Sequence, residues 1–407
     1  MKSPVSKISR LWPIAKRIMA EKLVRCVERL FSSEKCRKDI FNTRRSKRVL
    51  LCYLPEAFDN NQLPKYHSNF TECHTVAKVF DSLGYSVDCV SRTKQNIDYS
   101  PYEVVFGING NAFFDSFTAE NKPLKIFYSV GAHTFYSYQT TAARNLDFYK
   151  RHGKWLLGSN RYMPGDGRNY YEALFADGLI CLGDSFVKEK FISDEVRSEH
   201  CHTLSAFYFP VVERPRQKDF NNCRNTILWF GSSGMLHKGL DIAIDFALEN
   251  PQYTLHICGG SAKERNFWNH YKPLIKGHDN IHMNGFVDIE SPRFKEILDE
   301  CGILLNPSVS EGGAVSVLNV LGNGALLPVY SKGTGLDIAN VGIEVGEVTY
   351  DNFRNALLAV AELPTETIEQ KAWEAHRLVK EKYTLDKYRE TMYNHIKKII
   401  KQQYDEQ

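Results

Sequence analysis

The sequence predicts an α/β protein in which two Rossmann-like domains face each other across a cleft. Its 407 residues exceed one ordinary compact domain and suit two domains of about 150–200 residues each. Short apolar strands alternate with helix-length stretches in two successive series, which is typical of parallel α/β layers. A polar, charged stretch at 213–225 separates the two series and has the composition of a linker. We therefore predict domains at 48–212 and 213–385.

The first series of strands builds the N-terminal domain. Apolar runs of strand length occur at 49–54, 86–90, 104–106, 125–129 and 179–182. A helical stretch at 74–83 follows the first strand, and Gly84 then ends it before the second strand.

The second series builds the C-terminal domain. Strands are predicted at 226–230, 254–258, 281–283, 303–305, 325–330 and 342–345. Helices are predicted near 241–249, 292–299, 315–321, 366–382 and 386–401. Ligands of open α/β sheets bind outside the carboxyl ends of the strands, so the loops after these strands are the candidate site.

The basic charge of the chain is concentrated in an N-terminal arm, residues 1–47. Residues 1–48 carry a net charge of +11, and the remainder carries −7. An apolar stripe with cationic flanks runs through a helical pattern at 13–31, which predicts contact with an anionic membrane surface through residues 1–48. The alternatives are a helix packed on the body and a loose basic tail. The lysines and arginines interrupt any apolar signal segment, so we expect a cytoplasmic protein, held peripherally at the cytoplasmic membrane face.

Composition excludes several other classes. Hydrophobic residues make up 43% and charged residues 25%, which is ordinary globular composition without a membrane-spanning run. The acidic body argues against nucleic acid as a partner. Ten scattered cysteines without a C-x-x-C pair argue against a disulfide scaffold or a zinc cluster. We interpret Cys201, between two histidines, as part of a chance surface cluster.

A flexible loop follows the strand at 226–230. Gly231, Ser232, Ser233 and Gly234 permit close approach of the backbone to a ligand, and Lys238 precedes a helix. Backbone N–H groups and a helix N-terminus favour an anion, which predicts a pyrophosphate site. The loop is not a P-loop, because glycine follows the lysine. The alternative is a plain strand–helix turn with a solvated lysine.

A second candidate segment follows the strand at 303–305. Glu311 offers a carboxylate that accepts hydrogen bonds from sugar hydroxyls, although a helix-start acid that complements the helix dipole is the alternative. Asn319 falls two helical turns later on roughly the same face. The predicted ligand-binding residues of this segment are Ser310, Glu311, Gly312, Gly313, Ala314 and Asn319.

The order of these two segments resembles glycosyltransferase family 4, the group 1 glycosyl transferases of GT-B fold. Residues 310–319 align without a gap to the family pattern S-E-G-x-G-x-x-x-x-E, and segments 324–329, 333–338 and 381–388 match the later segments of the family. The resemblance covers about 226–403 well and 48–210 weakly. It implies a donor site on the C-terminal domain, an acceptor site on the N-terminal domain, and C-terminal helices, 386–403, that return toward the N-terminal domain.

The resemblance also implies roles for single residues. Lys238 corresponds to the lysine that contacts the donor diphosphate, and Glu311 to the glutamate that touches the transferred sugar. The amides of Gly312 and Gly313 meet the sugar and phosphate. Two departures from the family matter: Asn319 replaces the glutamate that usually holds the ribose, and Ser232 or Ser233 replaces an arginine.

In the N-terminal half, His133 follows the strand at 125–129. The resemblance implies that His133 faces the donor sugar, whereas a lone histidine is otherwise more often structural. Asn69 and Glu72 are candidate acceptor contacts, with helix capping by Ser68 or Asn69 as the alternative. Aromatic residues at 136–138 and 162–168 are candidates to line the acceptor side, or are ordinary surface loops.

The function expected from these residues is transfer of a sugar from a nucleotide-diphosphate sugar to a glycan or lipid-linked acceptor, in surface polysaccharide or glycolipid synthesis. The family resemblance implies retention of anomeric configuration. We expect no cofactor and no metal, since no Asp-x-Asp signature occurs. Two alternatives have the same architecture: a nucleotide-sugar epimerase and a catalytically silent nucleotide-sugar-binding protein.

Overall fold

The computed structural model describes residues 35–59, 63–65, 67–156, 168–193 and 195–405. Within them, thirteen strands form two sheets, of seven and six strands. This arrangement confirms the predicted two-layer α/β architecture. The predicted helix at 13–31 and the aromatic stretch at 162–167 lie outside the described residues.

The N-terminal sheet has the strand order β1-β3-β2-β4-β5-β6-β7. All neighbours are parallel except β1 and β3. The strands are β1 (Cys36–Arg37), β2 (Arg48–Tyr53), β3 (Ser86–Ser91), β4 (Val104–Gly107), β5 (Leu124–Ser129), β6 (Gly178–Leu182) and β7 (Cys201–Leu204). The helices are α1 (Ser68–Ser82), α2 (Asn111–Phe114), α3 (Thr134–His152), α4 (Arg168–Phe175) and α5 (Ser185–Ile192).

The C-terminal sheet is parallel throughout, in the order β10-β9-β8-β11-β12-β13. The strands are β8 (Thr226–Gly231), β9 (Thr254–Gly259), β10 (Ile281–Gly285), β11 (Ile303–Asn306), β12 (Leu327–Ser331) and β13 (Ile343–Val345). The helices are α6 (Phe220–Cys223), α7 (Leu240–Glu249), α8 (Arg265–Ile275), α9 (Pro292–Glu300), α10 (Val315–Asn323), α11 (Tyr350–Ala361), α12 (Thr365–Lys382) and α13 (Leu385–Asp405).

Two strands differ from the sequence prediction. Residues 35–47 are not part of a separate arm, because β1 pairs with β3 and the Asp39 backbone N–H donates to the Asp88 carboxylate at 2.7 Å. Cys201 does not lie in a surface cluster: its side chain is fully buried in β7, which pairs with β6. Both strands are too short and polar to give an apolar signal in the sequence.

The last helix returns to the N-terminal domain, as predicted. Its buried stripe, Tyr388, Met392, Ile396 and Ile399, has the three- and four-residue spacing of one helical face. The stripe joins the core of the N-terminal sheet, where the Tyr388 hydroxyl lies 3.1 Å from that of Tyr128. This helix therefore ties the end of the chain to its first half.

No helix in the described part of the chain combines the length and apolarity that a bilayer crossing requires.

Acid is expected to destabilise the fold. Burial is the main cause that lowers the pKa of His152, His202 and His256 from 6.5 to about 4. Each ring lies within 5.0 Å of a second histidine ring, so protonation also brings cations together. Because the unfolded chain binds more protons between pH 4 and 6.5, stability should be complete above pH 6.5 and fall as the pH drops toward 4.

Urea unfolding at several pH values checks this. A His202→Phe variant still places an aromatic ring against His395, but this ring cannot titrate. The two lysines that face the site, Lys188 and Lys398, are unchanged in the variant. Its stability should fall less between pH 6.5 and 4.5 than that of the wild type. An equal fall in both proteins would show that His202 does not contribute.

Candidate donor site between the two sheets

Two loops meet at the carboxyl edge of the C-terminal sheet. The loop at 232–239 follows β8, and the loop at 307–314 follows β11. These strands are parallel neighbours, with Ile303 opposite Ile227, so their loops leave the sheet side by side. The topology therefore brings both sequence motifs into one place.

Lys238 and Glu311 form the centre of this place. The Lys238 Nζ atom lies 2.8 Å from Glu311 Oε1, and the residues are only 8% and 9% exposed. The Ser308 hydroxyl donates to the same carboxylate oxygen at 2.7 Å. An ammonium and a carboxylate are thus held together in a nearly buried position, where solvent screens their charges only weakly.

His237 connects this pair to the N-terminal domain. Its Nε2 lies 2.7 Å from the Ser310 carbonyl oxygen, and its Nδ1 lies 3.1 Å from the Thr141 hydroxyl of α3. The Ser310 hydroxyl in turn donates to Ser137, one turn earlier on α3, at 3.0 Å. Helix α3 therefore contacts both donor-site loops.

A glutamate that no sequence motif singles out shapes the glycine loop. Glu264 is buried, and its carboxylate accepts hydrogen bonds from the backbone N–H groups of Gly234 and Met235. These two amides, which the sequence predicts to face an anion, already bind an internal one. Ser232 is exposed and Ser233 half-buried at the other end of the loop.

Close packing across the domains explains the glycines of the second loop. A methyl group on Gly312 would lie 2.3 Å from the Val130 carbonyl oxygen, after β5 of the N-terminal sheet. Gly313 and Ala314 both have positive φ, 71° and 32°, and Ala314 is the N-cap residue of α10. The backbone of this loop is therefore pressed against the opposite domain.

Substitution of Gly312 by alanine should open this contact. The new methyl group cannot fit against a backbone carbonyl, so the domains must separate locally and the loop must move. We expect at least a tenfold loss of activity and increased cleavage by trypsin between the domains. Gly346→Ala is the control, because nothing lies within 4 Å of its methyl position. Equal activity of the two variants would contradict the close contact.

Asn319 lies in α10 with its side chain turned toward the segment at 209–212, where the chain passes from the N-terminal to the C-terminal domain. Its Oδ1 accepts a hydrogen bond from the Phe209 backbone N–H at 2.8 Å. Asn323, one turn later, accepts from the N–H groups of Val211 and Val212 and donates to the Phe209 carbonyl. The oxygen that the family resemblance assigns to a ribose is thus bound to backbone, and contact with ribose stays a prediction.

His133 is the N-cap residue of α3 and is buried. Its ring packs edge-on against Phe191, Phe135 and Tyr170, with centroid distances of 5.1, 5.7 and 6.2 Å. It also lines an open groove of about 490 Å³ together with Tyr136 and Lys190. The His133 ring therefore borders a groove of the N-terminal domain, and its catalytic role stays a prediction.

Glu72 lies in the core rather than in the cleft. It is fully buried, and Oε2 accepts hydrogen bonds from the Tyr53 and Tyr128 hydroxyls at 2.9 and 3.0 Å. Burial raises the pKa of this carboxyl, and the hydrogen bonds partly offset the rise. The placement gives Glu72 a structural role beside α13. Asn69 lies half-buried in the first turn of α1.

A buried ionic cluster fastens α3 to α7. Asp241 Oδ2 lies 2.5 Å from a guanidinium nitrogen of Arg144 and 2.5 Å from one of Arg151. Burial alone would raise the pKa of Asp241, but the two arginines outweigh it and hold the pKa below its usual range. Phe148 of α3 meanwhile joins the core of the C-terminal domain. A helix that was not predicted from the sequence therefore links the two domains beside the candidate donor site.

No family model and no curated protein matches this sequence. Solved structures match at low identity. A glycosyltransferase from Rickettsia africae has a TM-score of 0.59 at 12% identity, over 87% of this chain and 99% of that one. Anabaena HepE, solved in complex with UDP, has 0.57 at 12% over 87% and 100%. The lipopolysaccharide outer core galactosyltransferase WaaB has 0.52 at 11% over 86% and 99%. The chain has the GT-B fold.

Proposed function

We propose that this chain is a glycosyltransferase that moves a sugar from a nucleotide diphosphate to a glycan or lipid-linked acceptor, in surface polysaccharide or glycolipid synthesis. The observation that carries the proposal is the nearly buried Lys238–Glu311 pair at the carboxyl edge of the C-terminal sheet. In this proposal the ammonium binds the diphosphate and the carboxylate beside it binds sugar hydroxyls. Structures of the same fold support it, because HepE was solved with UDP and with UDP-glucose.

In this mechanism the protein supplies orientation and charge. The Lys238 ammonium stabilises the negative charge that develops on the departing diphosphate. Glu311 accepts hydrogen bonds from the sugar hydroxyls and fixes the sugar against the N-terminal domain. His133, at the start of α3, contacts the sugar from the opposite side of the cleft.

We further propose that the reaction retains anomeric configuration and needs no metal. Lys238 and backbone N–H groups at the start of α10 supply the positive charge that a metal would otherwise give. Activity should therefore persist after exhaustive treatment with EDTA. Loss of activity that added magnesium or manganese restores would contradict this.

A panel of nucleotide sugars tests the function. Purified protein should release free nucleoside diphosphate slowly from one donor in water and faster with an acceptor extract. Interconversion of the sugar without loss of the nucleotide would indicate an epimerase instead.

One observation favours a second candidate, a catalytically silent nucleotide-sugar-binding protein. Glu264 occupies two amides of the glycine loop, and Asn319 binds Phe209. The two loop amides and the Asn319 side chain would otherwise be available to bind the donor. Such a protein should bind a donor in the panel without turnover, even with acceptor extract present.

We also propose that the N-terminal arm holds the enzyme at an anionic membrane surface. Deletion of residues 1–33 leaves β1 intact and removes eight of the fifteen basic residues of 1–48. The truncated protein should lose binding to phosphatidylglycerol vesicles, and high salt should weaken binding of the full chain. Equal binding by both proteins would show that the arm is not the anchor.

A further inference from the structure

The surface beside His133 carries large aromatic side chains that solvent reaches. Phe135 at the start of α3 is 49% exposed, and Tyr171 and Phe175 of α4 are 46% and 61% exposed. Exposed apolar groups that form a patch, rather than single residues, mark a binding surface.

These rings form one continuous series that begins at the candidate site. The centroid distances are 5.7 Å from His133 to Phe135 and 5.0 Å from Phe135 to Tyr170. They are 5.4 Å from Tyr170 to Tyr171 and 6.1 Å from Tyr171 to Phe175, whose planes differ by only 4°. The series therefore leads from a buried ring at the cleft to the most exposed ring of α4.

Polar groups lie next to this series. The groove at His133 is also lined by Gln139, Thr140 and Ser193, and by the Lys190 ammonium, 5.3 Å from the centre of the Tyr136 ring. A pyranose ring has an apolar C–H face and an edge of hydroxyl groups. The C–H face suits the negative face of an aromatic ring, and the hydroxyls suit amide, hydroxyl and ammonium partners.

The geometry points to a stacking platform for an extended glycan, formed by Phe135, Tyr170, Tyr171 and Phe175. This inference rests on the proposed function and specifies the acceptor as a chain of several sugars. The terminal sugar would lie at His133, and the inner sugars would lie on α4. Glycosyl transfer would then lengthen or decorate a polymer rather than modify a single sugar.

A membrane suits this surface less well than a glycan does. Faces that lie in an anionic bilayer carry lysine or arginine beside the apolar residues. Arg168 is the single basic residue of α4, and its guanidinium contacts the Phe114 ring and the Asn111 side chain. Among the described residues, α4 therefore presents aromatic rings beside one basic residue, whose guanidinium is held by neighbouring side chains.

Glycan binding by variants of Phe175 tests the platform. Phe175→Leu keeps an apolar side chain and removes the ring, whereas Phe175→Trp keeps a ring. Leu274→Ala removes an exposed apolar side chain from α8, outside the platform, and is the matched control. Each protein is applied to a printed glycan array and to vesicles of phosphatidylcholine and phosphatidylglycerol.

The wild type should bind glycans of three or more sugars. Phe175→Leu should bind them with about one fifth of the wild-type affinity or lower. Phe175→Trp and Leu274→Ala should bind like the wild type. No glycan binding by the wild type, or equal binding by Phe175→Leu, would overturn the platform. With residues 1–33 deleted, so that the arm does not contribute, vesicle binding that Phe175→Leu retains and Phe175→Asp loses, with no glycan bound, would assign the surface to a membrane.

The donor panel separates this inference from the proposed function. Nucleotide release without glycan binding would remove the platform and leave the transferase. Glycan binding without turnover of any donor would remove the transferase and leave a glycan-binding surface.

Discussion

A Lys238→Met variant should lose at least about a hundredfold in the rate of nucleotide release, which corresponds to about 3 kcal/mol of transition-state stabilisation. The substitution keeps most of the apolar stem but removes the ammonium that we propose faces the diphosphate. It also leaves the nearly buried Glu311 carboxylate without the partner 2.8 Å away. That carboxylate then repels the donor, so donor affinity should fall as well.

A double-variant cycle separates these two effects. Lys238→Met with Glu311→Gln removes both charges, so the double variant should bind the donor more tightly than Lys238→Met alone. Catalysis should stay low in both, because neither has the cation for the leaving group. Calorimetric titration of the donor and the rate of nucleotide release are the measurements. Lys276→Met, at an exposed lysine of the same domain, is the control. Unchanged donor affinity in a folded Lys238→Met protein would remove the site assignment.

Loss of the Asp241 carboxylate should lower the free energy of unfolding more than loss of any other single charge in the described part of the chain. Asp241→Leu leaves the buried Arg144 guanidinium without its main partner, and a broken buried pair costs about 3–5 kcal/mol. The free energy of unfolding from urea titration measures the effect. Arg389→Leu removes an exposed ion pair with Asp386 and should cost less than about 1 kcal/mol.

The partner substitution sharpens this expectation. Arg144→Met combined with Asp241→Leu removes both charges from the interior, so the double variant should be more stable than the sum of the single losses predicts. Because α3 also contacts His237 and Ser310, each single variant should lower activity at temperatures where the protein is still folded. Additive losses of stability would contradict direct coupling between the two side chains.

Much of the fold can be predicted from local patterns in the sequence. The eleven predicted strands are all present, because buried parallel strands appear as short apolar runs between turn residues. The position of the two candidate loops was also predictable, since glycines and a charged residue come directly after β8 and β11. Their meeting at one edge required only that both strands belong to one parallel sheet.

Helix α3 shows what local patterns do not reveal. Its inward face carries Ser137, Thr141, Arg144 and Arg151, a polar stripe that is typical of a solvated helix surface. Only its partners on α7 and in the donor-site loops make this stripe an interface. Those partners lie about a hundred or more residues away in sequence, so neither charge nor spacing identifies them.

Glu72 and Asn319 illustrate the same point for single residues. Each has the chemistry of a ligand contact, and each lies near a helix start or after a motif. Glu72 binds two tyrosine hydroxyls in the core, and Asn319 binds the Phe209 backbone between the two domains. Residue type and spacing therefore predicted where the two loops lie better than they predicted the surroundings of individual polar side chains.

Glycosyl transfer is tested most directly by NMR of a donor labelled with ¹³C at its anomeric carbon, C1, in the presence of an acceptor glycan. We expect the nucleotide-linked C1 signal to decrease and a new glycosidic C1 signal of the same anomeric configuration to appear, with one nucleoside diphosphate released for each sugar transferred. A C1 signal that stays on the nucleotide, unchanged or as a different sugar, would contradict glycosyl transfer.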